Sequence, residues 1–143
     1  MESIQQINVS QLKSRLAQAG DRPLLLDVRE AWEYNLCALP GSVHIPMGQI
    51  QARLNEIDRN REIVVVCHHG VRSNQVAHYL ATAMDGGSTE NAGAISSATA
   101  MDGGSTENAG AISSAHQGYA KLYNLSGGID AWAREIDPNM RIY

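Results

Sequence analysis

Four residues separate Cys67 from Arg72 in the stretch Cys67-His68-His69-Gly70-Val71-Arg72-Ser73. A thiol, a short loop with a glycine and a guanidinium at the start of a helical pattern suit a nucleophilic thiolate inside an anion cradle. Unpaired N–H groups at a helix start, with the positive end of its dipole, stabilise an anion beside them, so a thiol placed there ionises more readily. Arg72 adds a fixed charge and a planar fork suited to an oxyanion such as a sulfonate or a phosphate. Gly70 lets the loop curl so that successive amides point inward. A lone cysteine after a buried strand is more often a packed small hydrophobe. Here the helix start, Gly70 and Arg72 favour chemistry. His68 and His69 are expected to shape the pocket and its pH response, because imidazole titrates near neutrality. No metal site is expected, since adjacent histidines seldom chelate one ion and no spaced second pair is present.

The elements that must hold this loop can be read on either side of it. Ile63 to Val66 is β-branched throughout and reads as a central strand of a covered parallel sheet, with Cys67 at its carboxyl end. Val76, Tyr79, Leu80 and Ala83 form the stripe of a helix packed on that sheet. Upstream, Ile7 and Val9 suggest a short first strand. Ser10 then caps a helix that buries Leu12, Leu16 and Ala19, and Gly20 ends it. Pro23 to Arg29 is a second buried strand ending in charge. Ala31 to Leu36 makes a helical turn, Leu39 to Pro46 a turn and a short extended piece, and Ile50 to Ile57 a helix. Tyr119 to Leu125 supplies a further strand, Gly127-Gly128 leads into a helix carrying Ile129 and Trp132, and Pro138 to Tyr143 is extended. Strands alternating with helices make an open α/β sheet, where ligands bind beyond the strands' carboxyl ends.

Composition narrows the classes. The 143 residues suit one domain, and 43% hydrophobic with 18% charged content is globular. No run approaches a membrane span and the start Met1-Glu2-Ser3 lacks a signal-peptide pattern, so a soluble cytoplasmic protein is expected. A net charge of −4 gives no nucleic-acid footprint. The two cysteines, Cys37 and Cys67, argue against a disulfide framework. Cys37 reads as a partly buried structural residue, with a resolving thiol as the alternative. Asp27 and Arg29 read as a structural salt bridge, the alternative being contact with the active loop. Trp32 and Trp132 read as packing aromatics, and His44, His78 and His116 as surface or boundary residues.

One segment departs from this regularity. Thr82 to Ala98 reads TAMDGGSTENAGAISSA, and Thr99 to Ala115 repeats it letter for letter. A repeat without drift points to a recent duplication or to engineering. The segment holds four acids and no base, so it carries the whole net charge. Ser88 and Ser105 can cap helices and the Asp-Gly-Gly runs can stop them, giving two short helices, with a flexible excursion as the alternative. It leaves at the far end of the helix that follows Cys67, so the cradle is expected to survive it.

Four motifs in order carry a family likeness: Asp27-Val28-Arg29; Leu39-Pro40-Gly41-Ser42 with Ile45-Pro46; Cys67 to Ser73; and Asn124 to Trp132. With them the chain resembles a single-domain rhodanese over nearly everything outside the repeat. The resemblance implies a rhodanese-like α/β fold, an open and mainly parallel sheet with helices on both faces, in one domain over 1–143 interrupted by the insertion at 82–115. It also implies sulfur transfer without a cofactor. Cys67 would be the catalytic nucleophile and persulfide carrier, taking a sulfane sulfur from a small-molecule donor such as thiosulfate and passing it to cyanide or a thiol, a thioredoxin-like protein thiol included. The amides of His68, His69, Gly70, Val71, Arg72 and Ser73 would bind the substrate, while Arg72 steadies the loop and attracts the anionic donor. Related phosphatases and arsenate reductases of this fold carry five residues between cysteine and arginine; here there are four. A small phosphatase or arsenate reductase is therefore the weaker enzyme reading, and a non-catalytic interaction module is the third.

Overall fold

The computed structural model describes residues 4–83, 119 and 121–143. Five strands, β1 (Ile4–Ile7), β2 (Leu24–Asp27), β3 (Val43–His44), β4 (Glu62–Val66) and β5 (Lys121–Leu125), form one parallel sheet in the order β1-β5-β4-β2-β3. The register sets Leu26 beside Val65 and Val43, and Val64 beside Tyr123. Among the described residues, four α-helices flank it: α1 (Val9–Ala17), α2 (Ala31–Leu36), α3 (Val71–Ala83) and α4 (Gly128–Glu135).

Alternation along the strands divides the core in two. Leu24, Leu26, Ile63, Val65 and Leu122 meet Val76, Ala77 and Leu80 of α3 on one face. Leu25, Val64, Val66 and Leu125 meet Val9 and Leu12 of α1 and Ile129 and Trp132 of α4 on the other. Both faces of β2 and β4 are covered, which is why their sequences are continuous apolar runs rather than alternating ones. Each fully buried leucine or isoleucine contributes about 1.5–3 kcal/mol, and this burial holds the carboxyl end of β4 in place. The expected α/β architecture, with helices on both faces, is the one observed.

Several local expectations are corrected. Val9 opens α1 instead of ending β1, and the cap is Asn8, not Ser10. The Gln11 amide donates to Asn8 Oδ1 and the Asn8 amide to Gln11 Oε1, each at 2.8 Å, a reciprocal pair that Ser10 has no partner to build. Ala19 is exposed, beyond the end of α1. The helix expected over Ile50 to Ile57 is two 3-10 pieces, Met47–Gln49 and Gln51–Glu56, interrupted at Arg53, whose backbone (φ −119°, ψ 23°) is not helical. Tyr79 is half exposed, whereas Val76 and Leu80 of the same stripe are buried. Trp32 is 61% exposed, unlike the buried Trp132. His44 is half-buried, the boundary position expected, where it stacks on Tyr34 at 4.4 Å and its Nε2 lies 2.7 Å from the Arg29 carbonyl oxygen. The repeat from Met84 onward, with its two expected helices, and His116 lie outside the described residues.

Candidate functional site

β4 ends at Val66 and α3 starts at Val71, so Cys67 to Gly70 bridges a strand end and a helix N-terminus. Continuing the alternation of β4, the Cys67 side chain turns to the α3 face and is 1% exposed. The Gly70 amide donates to Sγ at 3.1 Å, and Sγ lies 3.3 Å from Ser73 Oγ. The Gly70 backbone takes φ +101°, a conformation that glycine adopts readily. Ser73 in turn donates to Asn124 Oδ1. The Asn124 amide nitrogen donates to the Gly70 carbonyl at 3.2 Å and to Gln6 Oε1 at 2.8 Å. A single buried asparagine on β5 thus braces both ends of the loop.

The second brace comes from α4. Its first amides cap the loop carbonyls: the Ile129 N–H donates to Cys67 O at 2.9 Å and the Asp130 N–H to His68 O at 3.0 Å. Such close approach depends on Gly128, at φ +60°, where an added Cβ would lie 2.4 Å from His68 O.

Arg72 is held by α2. Its fork donates twice to Glu33, Nη1 to Oε1 at 2.7 Å and Nη2 to Oε2 at 2.8 Å. The Glu33 carboxylate also accepts from the Glu30 amide at 2.9 Å and from the Tyr143 hydroxyl at 3.0 Å. The Arg72 bonds, aided by those from Glu30 and Tyr143, outweigh burial and hold the Glu33 carboxyl at about 2, below its ordinary 4.5. Behind it, Arg29 and Asp27 form a fully buried pair, and Arg29 Nη1 donates to the Tyr143 hydroxyl at 2.9 Å. Burial pushes the Tyr143 phenol up to about 12, so it stays a donor to Glu33. Tyr143 also stacks flat on His68 at 3.9 Å and meets Trp32 edge-on at 5.8 Å. Burial, and then His69, hold the His68 pKa below the usual imidazole value, against the pull of Asp130 and Glu33.

Because the folded state depresses the Glu33 pKa, its stabilisation is complete above the unfolded value near 4.5 and is lost as pH falls toward 2. Glu33→Gln is accordingly expected to lower stability at pH 7 by about 3 kcal/mol. That deficit should shrink as wild type and variant are compared at pH 3. Urea unfolding at both pH values checks this, and an equal deficit at both would contradict it.

The predicted residues therefore gather in one place, but with unequal duties. The Gly70 amide meets Sγ, Ser73 backs it, and Arg72 is engaged by Glu33; the Val71 side chain is 67% exposed. Asp27 and Arg29 form the expected salt bridge and also buttress Tyr143. Cys37 packs with the core on the α1 and α4 face, opposite the face to which Cys67 turns, and its carbonyl accepts from Arg29 at 2.6 Å. Glu33, Asn124, Gly128 and Tyr143 were not anticipated as parts of the site. For Asn124 and Gly128 the available signal was their place in the Asn124 to Trp132 motif; for Glu33 and Tyr143 there was none.

Comparison with known proteins places this geometry in context. Residues 8–135 match the family model described as the rhodanese-like domain. A protein of Allochromatium vinosum named Sulfurtransferase is 30% identical over 131 residues, which cover 92% of this chain and 90% of that protein. YrkF of Bacillus subtilis (strain 168), whose name includes the term sulfur carrier protein, is 40% identical over 78 residues, covering 54% of this chain and 42% of YrkF. The crystal structure of a rhodanese-like domain protein from Staphylococcus aureus superposes with a TM-score of 0.61 at 22% identity, covering 97% of this chain and 98% of that one.

Proposed function

The chain belongs to the rhodanese-like domain family, and on that premise we propose that it is a sulfurtransferase working through a persulfide on Cys67. The sulfane sulfur comes from thiosulfate or a similar small donor and goes to cyanide or a thiol, the thiol of a thioredoxin-like protein included. In the first half-reaction the Cys67 thiolate attacks the outer sulfur of thiosulfate. The donor's S–S bond breaks, and sulfite leaves with the bonding pair. In the second, the acceptor attacks the outer sulfur of the persulfide and the Cys67 thiolate is the leaving group. Cyanide gives thiocyanate, a thiol gives a new persulfide, and the enzyme returns unchanged.

The observation that carries this reading is the seat of Sγ, buried at a strand end with the Gly70 amide 3.1 Å away as a donor to an anionic sulfur. The four-residue interval between Cys67 and Arg72 favours a sulfur atom over a tetrahedral phosphate. Arg72, held by both arms on Glu33, steadies the start of α3, and its partly exposed guanidinium adds positive charge for an anionic donor. No cofactor takes part in either half-reaction. We read the chain as one domain interrupted at 82–115. A cytoplasmic setting accords with two free cysteines and no disulfide among the described residues.

Incubation with thiosulfate is expected to add about 32 Da, one sulfur atom, to the peptide containing Cys67. An aryl phosphate should not be turned over. Absence of the adduct together with aryl phosphate turnover would favour the phosphatase reading. Absence of both would favour a non-catalytic module.

A further inference from the structure

We propose that His68, His69 and Asp130 form a three-ligand site for a first-row divalent cation of the zinc type, beside the Cys67 loop. Adjacent histidines alone make a poor chelate, and the sequence shows no second ligand nearby. The fold supplies one from α4, whose start is pressed against the loop by the Ile129 and Asp130 amide bonds to Cys67 O and His68 O. His68 Nε2 lies 4.0 Å from Asp130 Oδ1, and His69 Nε2 lies 3.8 Å from Asp130 Oδ2. One ligand atom from each of the three residues falls within 4.8 Å of the others. Tetrahedral bonds of about 2.0–2.1 Å need ligand atoms about 3.3 Å apart, so closure requires only small shifts. The His69 side chain, 61% exposed, is free to make them.

A second observation points the same way. His68 Nε2 is buried and has no hydrogen-bond partner. It stands 4.0 Å from Asp130 Oδ1 and is left available to a ligand. Stacking between Tyr143 and His69, each at 3.9 Å, fixes the ring plane. Arg134 competes for the carboxylate, donating to Oδ2 at 3.0 Å, but it is 59% exposed and can turn to solvent. Two imidazole nitrogens and a carboxylate oxygen suit zinc, with a coordination position left open. A cation held there would clamp the loop to α4.

Cobalt(II) serves as the spectroscopic probe, added to the full chain freed of metal with chelator. The expected result is saturable 1:1 uptake with visible bands and no thiolate-to-cobalt charge transfer, unchanged in Cys67→Ser. His69→Gln and Asp130→Asn, each confirmed as folded by circular dichroism, should bind at least about tenfold more weakly. Bound metal should also raise the unfolding temperature of the wild type, because it ties up the native state only. No saturable uptake, uptake unchanged in both ligand variants, or uptake lost in Cys67→Ser would each overturn the proposal.

Discussion

Cys67→Ser is expected to lower sulfur transfer by roughly 10⁴-fold or more while leaving the fold in place, because removing a nucleophile removes the covalent pathway itself. Sγ sits between the Gly70 amide and Ser73 Oγ, and both can serve a hydroxyl in its place. A buried hydroxyl with two partners meets little desolvation penalty, so stability should change by about 1 kcal/mol or less. Thiocyanate formation from thiosulfate and cyanide, read beside a urea melt, separates the two effects. A variant that keeps a tenth of wild-type turnover would remove Cys67 from the chemistry. A variant that loses activity and folding together would leave the role of its sulfur undecided, and Cys67→Ala would then be the comparison to make.

Gly128→Ala should be the most damaging change that touches no reacting group. The new methyl would stand 2.4 Å from His68 O and 2.5 Å from Cys67 O, both backbone atoms with little room to retreat. The alanine must also hold φ near +60°, which costs about 1–2 kcal/mol by itself. Displacing α4 breaks its two amide bonds to the loop, at about 1 kcal/mol each, so a total loss of about 3 kcal/mol or more is expected. Gly41→Ala isolates the conformational part. Gly41 has φ +79° with nothing within 4 Å of an added Cβ, and its loss should stay near 1–2 kcal/mol. Denaturant unfolding of the two variants tests the difference. If they lose stability equally, the close packing of α4 on the loop is not what Gly128 provides.

The parts of this molecule legible in its sequence are those written contiguously. β2 and β4 show as apolar runs because both of their faces are covered, and the cysteine loop shows because its glycine, arginine and serine lie within six residues of the nucleophile. The braces are of another kind. Glu33 is 39 positions from Arg72, and Asn124 is 51 from Ser73; each contributes one side chain with no periodicity to betray it. A motif can mark Asn124 and Gly128 as present without disclosing that one bridges Ser73 and Gly70 while the other lets two carbonyls approach. The exposure of Trp32 was hidden for the opposite reason. A tryptophan in a short helix ordinarily signals burial, and this one instead lies edge-on to Tyr143 at the surface.

The strand order carries a consequence for how a newly made chain acquires reactivity. Ile4–Ile7 aligns with Leu122–Leu125, so a chain still in synthesis holds its opening strand without that neighbour until residue 125 has been added. Over the same interval Ser73 has no Asn124 behind it and the cysteine loop has no helix start against its carbonyls. Nascent polypeptide should therefore stay inert toward sulfur donors, and competence should arrive abruptly, once synthesis has passed Asn124 and the start of α4.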